Sequence, residues 1–167
     1  MDIVEKARIF ATAAHAAVKQ IRKYTFEPYM VHPMEVADIV ASVPHTREML
    51  AAAYLHDTVE DTGVTLDLIR AEFGDEVADL VGWLTDVSRP EDGVRSVRKA
   101  IDRAHSAQAP ADAQTVKCAD LISNTQSIMQ HDEKFAKTYL EEKRLLLAVM
   151  DKGDPTLMAE ARKYIGD

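Results

Sequence analysis

The sequence predicts an all-α fold: one helical domain over residues 1–167, with about eight or more helices. Three observations carry this. Gly and Pro number only 6 each, while Ala and Leu abound, a balance that favours helix over sheet. Apolar residues recur at three- and four-residue spacing through most of the chain. At 167 residues it is about one ordinary domain, long enough to bury a core without staples. No repeat, low-complexity tract or linker divides it.

The elements follow in order. Ile3, Ala7, Phe10, Ala11, Ala14, Val18 and Ile21 predict a first helix over 3–22. A loop then runs through Tyr24-Thr25-Phe26-Glu27-Pro28-Tyr29 to Val31-His32-Pro33, and Pro33 suits the first turn of the next helix. That helix carries Val36, Ile39 and Val40 and stops near Pro44. A third runs from about Thr46 to Glu60, with Gly63 placed to cap its C-terminal end. Thr65 caps a short helix through Phe73, and Asp75 caps another over 76–85. Residues 86–95 read as a loop. Helices over 95–106, 113–130, 132–152 and 155–165 complete the chain.

Charge and composition exclude several classes of function. Lys plus Arg is 20 and Asp plus Glu is 28, so the formal net charge is −8. Such a chain is a poor partner for a nucleic-acid polymer, which demands basic patches, or for an anionic membrane. A single cysteine, Cys118, excludes an internal disulfide and a multi-cysteine zinc site. No apolar run approaches the roughly 18 residues of a spanning helix. The segment Met1-Asp2-Ile3-Val4-Glu5-Lys6 lacks the basic start of a signal peptide, so a cytoplasmic location is expected.

The chemistry concentrates in His56-Asp57-Thr58-Val59-Glu60-Asp61. Three carboxylates at a helix C-terminus oppose the macrodipole unless a cation compensates. The segment is therefore either a solvated polar helix end or part of a cation site. Adjacent His and Asp do not share a helical face. Both reach one ion only if the helix axis points at it or the last turn is distorted. His32, before a proline, and Asp120, on an apolar helix, are further candidates. Taken singly, each reads equally well as inert. Two His and two Asp together form a mixed nitrogen and oxygen set, suited to Mn²⁺, Fe²⁺ or Zn²⁺ rather than Ca²⁺. Asn124 and Ser127 lie four and seven residues after Asp120 on the same face, though Ser127 reads equally as a surface polar position.

Arg22-Lys23-Tyr24, Glu27-Pro28-Tyr29, Val31-His32-Pro33, Leu55-His56-Asp57-Thr58-Val59-Glu60-Asp61-Thr62, Phe73-Gly74, Leu84-Thr85-Asp86 and Val116-Lys117-Cys118-Ala119-Asp120 occur in that order. As a set they resemble the HD-domain phosphohydrolase superfamily, and within it the hydrolase domain of RelA/SpoT-type enzymes and the small alarmone hydrolases. The resemblance implies an all-α fold and one divalent metal ion, commonly Mn²⁺, at His32, His56, Asp57 and Asp120. It implies that Glu60 and Asp61 position and activate the attacking water. Arg22 and Lys23 would contact the nucleotide, with Asn124 near the ribose. The implied reaction is hydrolytic release of the 3′-pyrophosphate of guanosine tetra- or pentaphosphate. A chain of 167 residues is expected to leave no room for a synthetase.

The sequence also departs from the family pattern. The family often has a His three residues before the Gln of Gln20-Ile21-Arg22-Lys23; here that position is Ala17. His15 lies two residues too early and is assigned no role. Phe26 replaces a common Gly, and Leu121-Ile122-Ser123-Asn124-Thr125-Gln126 replaces a basic residue followed by Asn-Leu-Arg. The expected partner is a small phosphorylated nucleotide, and a homo-oligomer stays open. Rival readings are an HD phosphohydrolase for another nucleotide (an adenine alarmone, a phosphorylated dinucleotide, a nucleoside monophosphate) and a non-catalytic nucleotide sensor. Cys118 reads as a small core residue, and Glu141-Glu142-Lys143-Arg144 as a solvated face of mixed charge.

Overall fold

The structure, a computed structural model, describes Met1–Gly166. Ten α-helices and one 3₁₀ turn, with no strand, make up the described residues. In order they are α1 (Ile3–Ala17), α2 (Val31–Ala41), α3 (Arg47–Leu55), α4 (Thr58–Asp61), α5 (Leu66–Phe73), α6 (Asp75–Leu84), the 3₁₀ turn Pro90–Asp92, α7 (Arg95–Gln108), α8 (Ala111–His131), α9 (Glu133–Val149) and α10 (Pro155–Lys163). The chain forms two compact units, Met1–Thr85 and Asp86 onward.

In the first unit α3 is the central element. Ala51, Ala52, Ala53 and Leu55 are fully buried, and the small alanines let α1, α2 and α6 approach closely. Ala7 and Ala11 of α1, Val36 and Val40 of α2, and Val77 and Val81 of α6 complete this core. Thr46 caps α3 by accepting from the Met49 N–H at 3.1 Å. Thr65 caps α5 in the same way through Leu68, as its sequence position predicts.

Three boundaries differ from the sequence reading. First, α1 ends at Ala17, not residue 22. Lys19 takes a left-handed conformation (φ 55°), the Gln20 N–H donates to His15 O and the Lys19 N–H to Ala16 O. This is the closing pattern that glycine usually makes, here made by lysine. Residues 20–29 then fold back through the paired Ile21 and Pro28, with Phe26 also left-handed at φ 60°. Second, Gly63 is not at positive φ; the Thr62 hydroxyl ends α4 by donating to Thr58 O at 2.6 Å. Third, Gly74 (φ 90°) turns the chain between α5 and α6. Asp75 is therefore the first helical residue instead of the cap, and it pairs with Arg70 at 2.8 Å.

In the second unit α8 is the buried element. Val116, Cys118, Ala119, Leu121 and Ile122 pack against α9 (Tyr139, Leu146, Leu147) and α10 (Leu157, Met158, Ala161). Gln114, fully buried, donates to Ser106 O and accepts from the Lys152 N–H, satisfying its polar atoms across three segments. The loop 86–95 is tied down by Asp102, whose carboxylate accepts from the Val87 N–H, the Ser88 N–H and the Ser88 hydroxyl. Cys118 is a core residue, as its setting predicts. The charge run on α9 is not uniformly solvated. Glu142 pairs with Arg95 at 2.7 Å, and the Lys143 ammonium lies 4.6 Å from the Tyr139 ring. Burial, then the charges of Lys117 and Lys99, lower the Lys143 pKa to about 7.

Candidate functional site

The long third helix of the sequence reading is interrupted where the chemistry lies. α3 stops at Leu55, His56 and Asp57 form a turn, and α4 begins at Thr58. The Thr58 hydroxyl donates to Leu55 O at 2.7 Å across the break. This is the distorted last turn that allows adjacent His and Asp to serve one ion. His56 Nε2 lies 3.1 Å from Asp57 Oδ2, and His32 Nε2 lies 3.6 Å from the same oxygen.

His32, in the first turn of α2, is fully buried and its ring centre is 5.2 Å from that of His56. One ligand atom from each of His32, His56 and Asp57 fits within 4.8 Å of the others. The donor chemistry fits a metal. His56 Nδ1 is 2.7 Å from Ala53 O, an oxygen that only accepts, so Nδ1 carries the hydrogen and Nε2 presents a lone pair. Asp57 is oriented in turn by the Tyr29 hydroxyl, which donates to Oδ2 at 2.6 Å.

Glu60 and Asp61, both exposed, follow on α4. The Asp61 pKa is raised: partial desolvation of the carboxyl pushes it up, and the Asp57 charge adds to this. The largest opposing influence is a hydrogen bond of 3.1 Å from Gln20 Nε2 to Asp61 Oδ2. Gln20 Oε1 is itself 2.7 Å from Nδ1 of the buried His15. Sequence reasoning set His15 aside and quoted Gln20 and Tyr29 within the family motifs without giving either a role. The structure joins His15 to Gln20 through the left-handed turn at Lys19, which takes up the two extra residues.

Arg22 is half-buried in the folded-back segment, and its N–H donates to Glu27 O at 2.8 Å. Lys23 is exposed, with its ammonium 5.2 Å from the Tyr24 ring. Asp120, Asn124 and Ser127 lie on α8 in the second unit. Asp120 is buried and receives Lys117 Nζ at 3.3 Å and Asn124 Nδ2 at 2.9 Å. Ser127 is half-buried. Asn124 thus meets a predicted metal ligand, a contact legible in their four-residue spacing.

A helical fold with this His-His-Asp cluster defines a class. The HD domain family matches residues 7–151, and the chain belongs to that family. Its relatives are of the RelA/SpoT kind. The chain is 37% identical over 129 residues to a probable GTP pyrophosphokinase of Mycobacterium leprae, covering 77% of this chain and 16% of that protein. It is 41% identical over 86 residues to a guanosine-3′,5′-bis(diphosphate) 3′-pyrophosphohydrolase of Aquifex aeolicus, covering 52% of this chain and 12% of the other. The chain thus spans a small fraction of the length of these relatives. Among solved structures, a metazoan SpoT ortholog described as hydrolysing ppGpp superposes with a TM-score of 0.86 at 22% identity, covering 98% of this chain and 94% of that one. A Listeria monocytogenes protein superposes with a TM-score of 0.68 at 28% identity, covering 84% and 97%. No described helix is long and apolar enough to cross a membrane.

Proposed function

We propose that the protein is a metal-dependent phosphohydrolase that releases the 3′-pyrophosphate of guanosine 3′,5′-bis(diphosphate)-type alarmones, with residues 1–167 acting as one HD-type domain. The observation that carries this reading is the His32/His56/Asp57 cluster with two carboxylates, Glu60 and Asp61, one helical turn further on. Asp120 completes the ligand set, and Mn²⁺ suits its mixed nitrogen and oxygen donors. When bound, the ion supplies Lewis acidity and a lowered pKa for water.

The chain's own residues do the rest. Asp61 or Glu60 takes the proton of a water attacking the outgoing phosphorus, and a raised carboxyl pKa makes Asp61 a better base. The bond between phosphorus and the ribose 3′-oxygen breaks, and that oxygen takes up a proton. Arg22 and Lys23 hold phosphate oxygens, and Ser127 and Asn124 contact the sugar. This is a cytoplasmic activity on a small nucleotide, without a nucleic-acid polymer or membrane partner. One observation favours a second reading, hydrolysis of another nucleotide: the Asn124 amide is already engaged by Asp120.

The test is pyrophosphate release by the Mn²⁺-loaded protein from ppGpp and from a panel of adenine and other nucleotides. Release from ppGpp, abolished by Asp57→Ala, is expected. Turnover of other nucleotides alone supports the second reading. Nucleotide binding without turnover in several metals makes the chain a sensor.

A further inference from the structure

The ends of α1 and α4 are joined by a hydrogen-bond chain, His15–Gln20–Asp61, whose polarity is fixed from one end. An ionised carboxylate only accepts, so the Gln20 atom facing Asp61 Oδ2 at 3.1 Å is the amide nitrogen. The carbonyl oxygen of Gln20 then faces His15, and it too only accepts. Nδ1 of His15, 2.7 Å away, must carry the hydrogen. In the neutral ring, His15 Nε2 is then a bare lone pair. It is buried and has no hydrogen-bond partner, an arrangement less costly than an orphaned N–H in the same place.

His15 has little freedom to leave this arrangement. The residue is 1% exposed, and its ring packs on Tyr29 with centres 4.7 Å apart. Its own carbonyl holds the Gln20 N–H at 3.1 Å, so the same turn fixes both ends of the link. Tyr29, gripped by His15, donates through its hydroxyl to Asp57. Asp61, by contrast, is the exposed last residue of a four-residue helix, beside the repelling charge of Asp57. The Gln20 amide is the donor that holds its side chain.

We infer that His15 and Gln20 are positioning residues for Asp61: the His15 Nδ1–H holds the Gln20 amide, and that amide holds the Asp61 carboxylate in one orientation. The inference rests on the reading above that Asp61 handles the attacking water. A base fixed in place lowers the reorganisation needed at each turnover.

The experiment joins a measurement without substrate to a kinetic one. In the wild-type protein, ¹⁵N chemical shifts of His15 at pH 8 are expected to report the Nδ1–H form, and side-chain couplings of Asp61 a single χ1 rotamer. In Gln20→Leu the Asp61 rotamer is expected to average. An Nε2–H form of His15, or an Asp61 rotamer indifferent to Gln20→Leu, overturns the inference whatever the substrate. In turnover, Gln20→Leu is expected to lower kcat about tenfold with KM within about twofold, the signature of a lost positioning contact. Gln20→Glu is expected to fall lower, because it sets a carboxylate against a carboxylate. A space-filling role predicts the reverse order, with Glu close to wild type, and that order refutes the inference. His15→Phe keeps the ring against Tyr29 but removes the donor, and it should reproduce the averaged Asp61 rotamer. Should this buried position not tolerate the change, the half-buried Gln20 carries the test. If the wild-type protein turns over no nucleotide, the proposed function fails while the rotamer and tautomer measurements still decide the chain.

Discussion

Replacing Lys143 with methionine is expected to stabilise the protein, and by an amount that depends on pH. The Lys143 pKa falls from 10.5 to about 7, chiefly because its ammonium is buried and secondarily because Lys117 and Lys99 share its surroundings. Below pH 7 the group is charged in both the folded and unfolded chain, so the full cost of burying the charge is present. Each pKa unit is about 1.4 kcal/mol, which puts that cost at about 5 kcal/mol at pH 6 as an upper figure. Between pH 7 and 10.5 the unfolded chain binds more protons than the folded one, so stability rises with pH and the cost fades. At pH 9.5 about 1 kcal/mol of it remains. Urea unfolding of parent and Lys143→Met at pH 6 and 9.5 measures this directly. The variant's advantage should be several kcal/mol at pH 6 and shrink by most of that at pH 9.5. An advantage that does not change with pH would refute the reasoning, because it would mean that the ammonium is hydrated in the folded state.

Three further outcomes are expected. Tyr29→Phe removes the 2.6 Å hydrogen bond to Asp57 and should weaken Mn²⁺ binding about tenfold in calorimetric titration, with little change in unfolding midpoint. Lys19→Gly and Phe26→Gly each replace a side chain held at φ 55° or 60° and should each raise stability by about 1 kcal/mol, read as a higher urea midpoint at unchanged m. Cys118, buried with its thiol pKa pushed up to about 12, should stay unmodified by a disulfide reagent at pH 8 and react at once in denaturant.

The order of helices was legible because the core faces are periodic and several caps are explicit, such as Thr46 and Thr65. The His-Asp cluster was legible for an electrostatic reason: acidic residues massed at a helix end call for a cation. What escaped were places where an unusual residue does a usual job. Lys19 closes α1 in a conformation normally signalled by glycine, so the helix read on to residue 22. The same turn hid His15, since a rigid count of residues back from Gln20 misses a partner that a left-handed step restores. Lys143 escaped because a run of four charged residues looks uniformly wet, although α9 turns this one inward while Glu141 and Arg144 pair outside. Asp75 and Gly63 were assigned capping roles that Gly74 and the Thr62 hydroxyl fill instead.

The interruption at His56-Asp57 has a consequence for how this chain tolerates change. α3 is built from fully buried residues and anchors His56, so its sequence answers to stability. α4 contributes one fully buried side chain, Thr58, and is fastened by two threonine hydroxyls. Glu60 and Asp61 therefore stand on a short exposed segment with little packing of its own. Substitutions at these two proposed water-handling carboxylates should therefore cost little stability, so that their effect on activity can be read apart from folding.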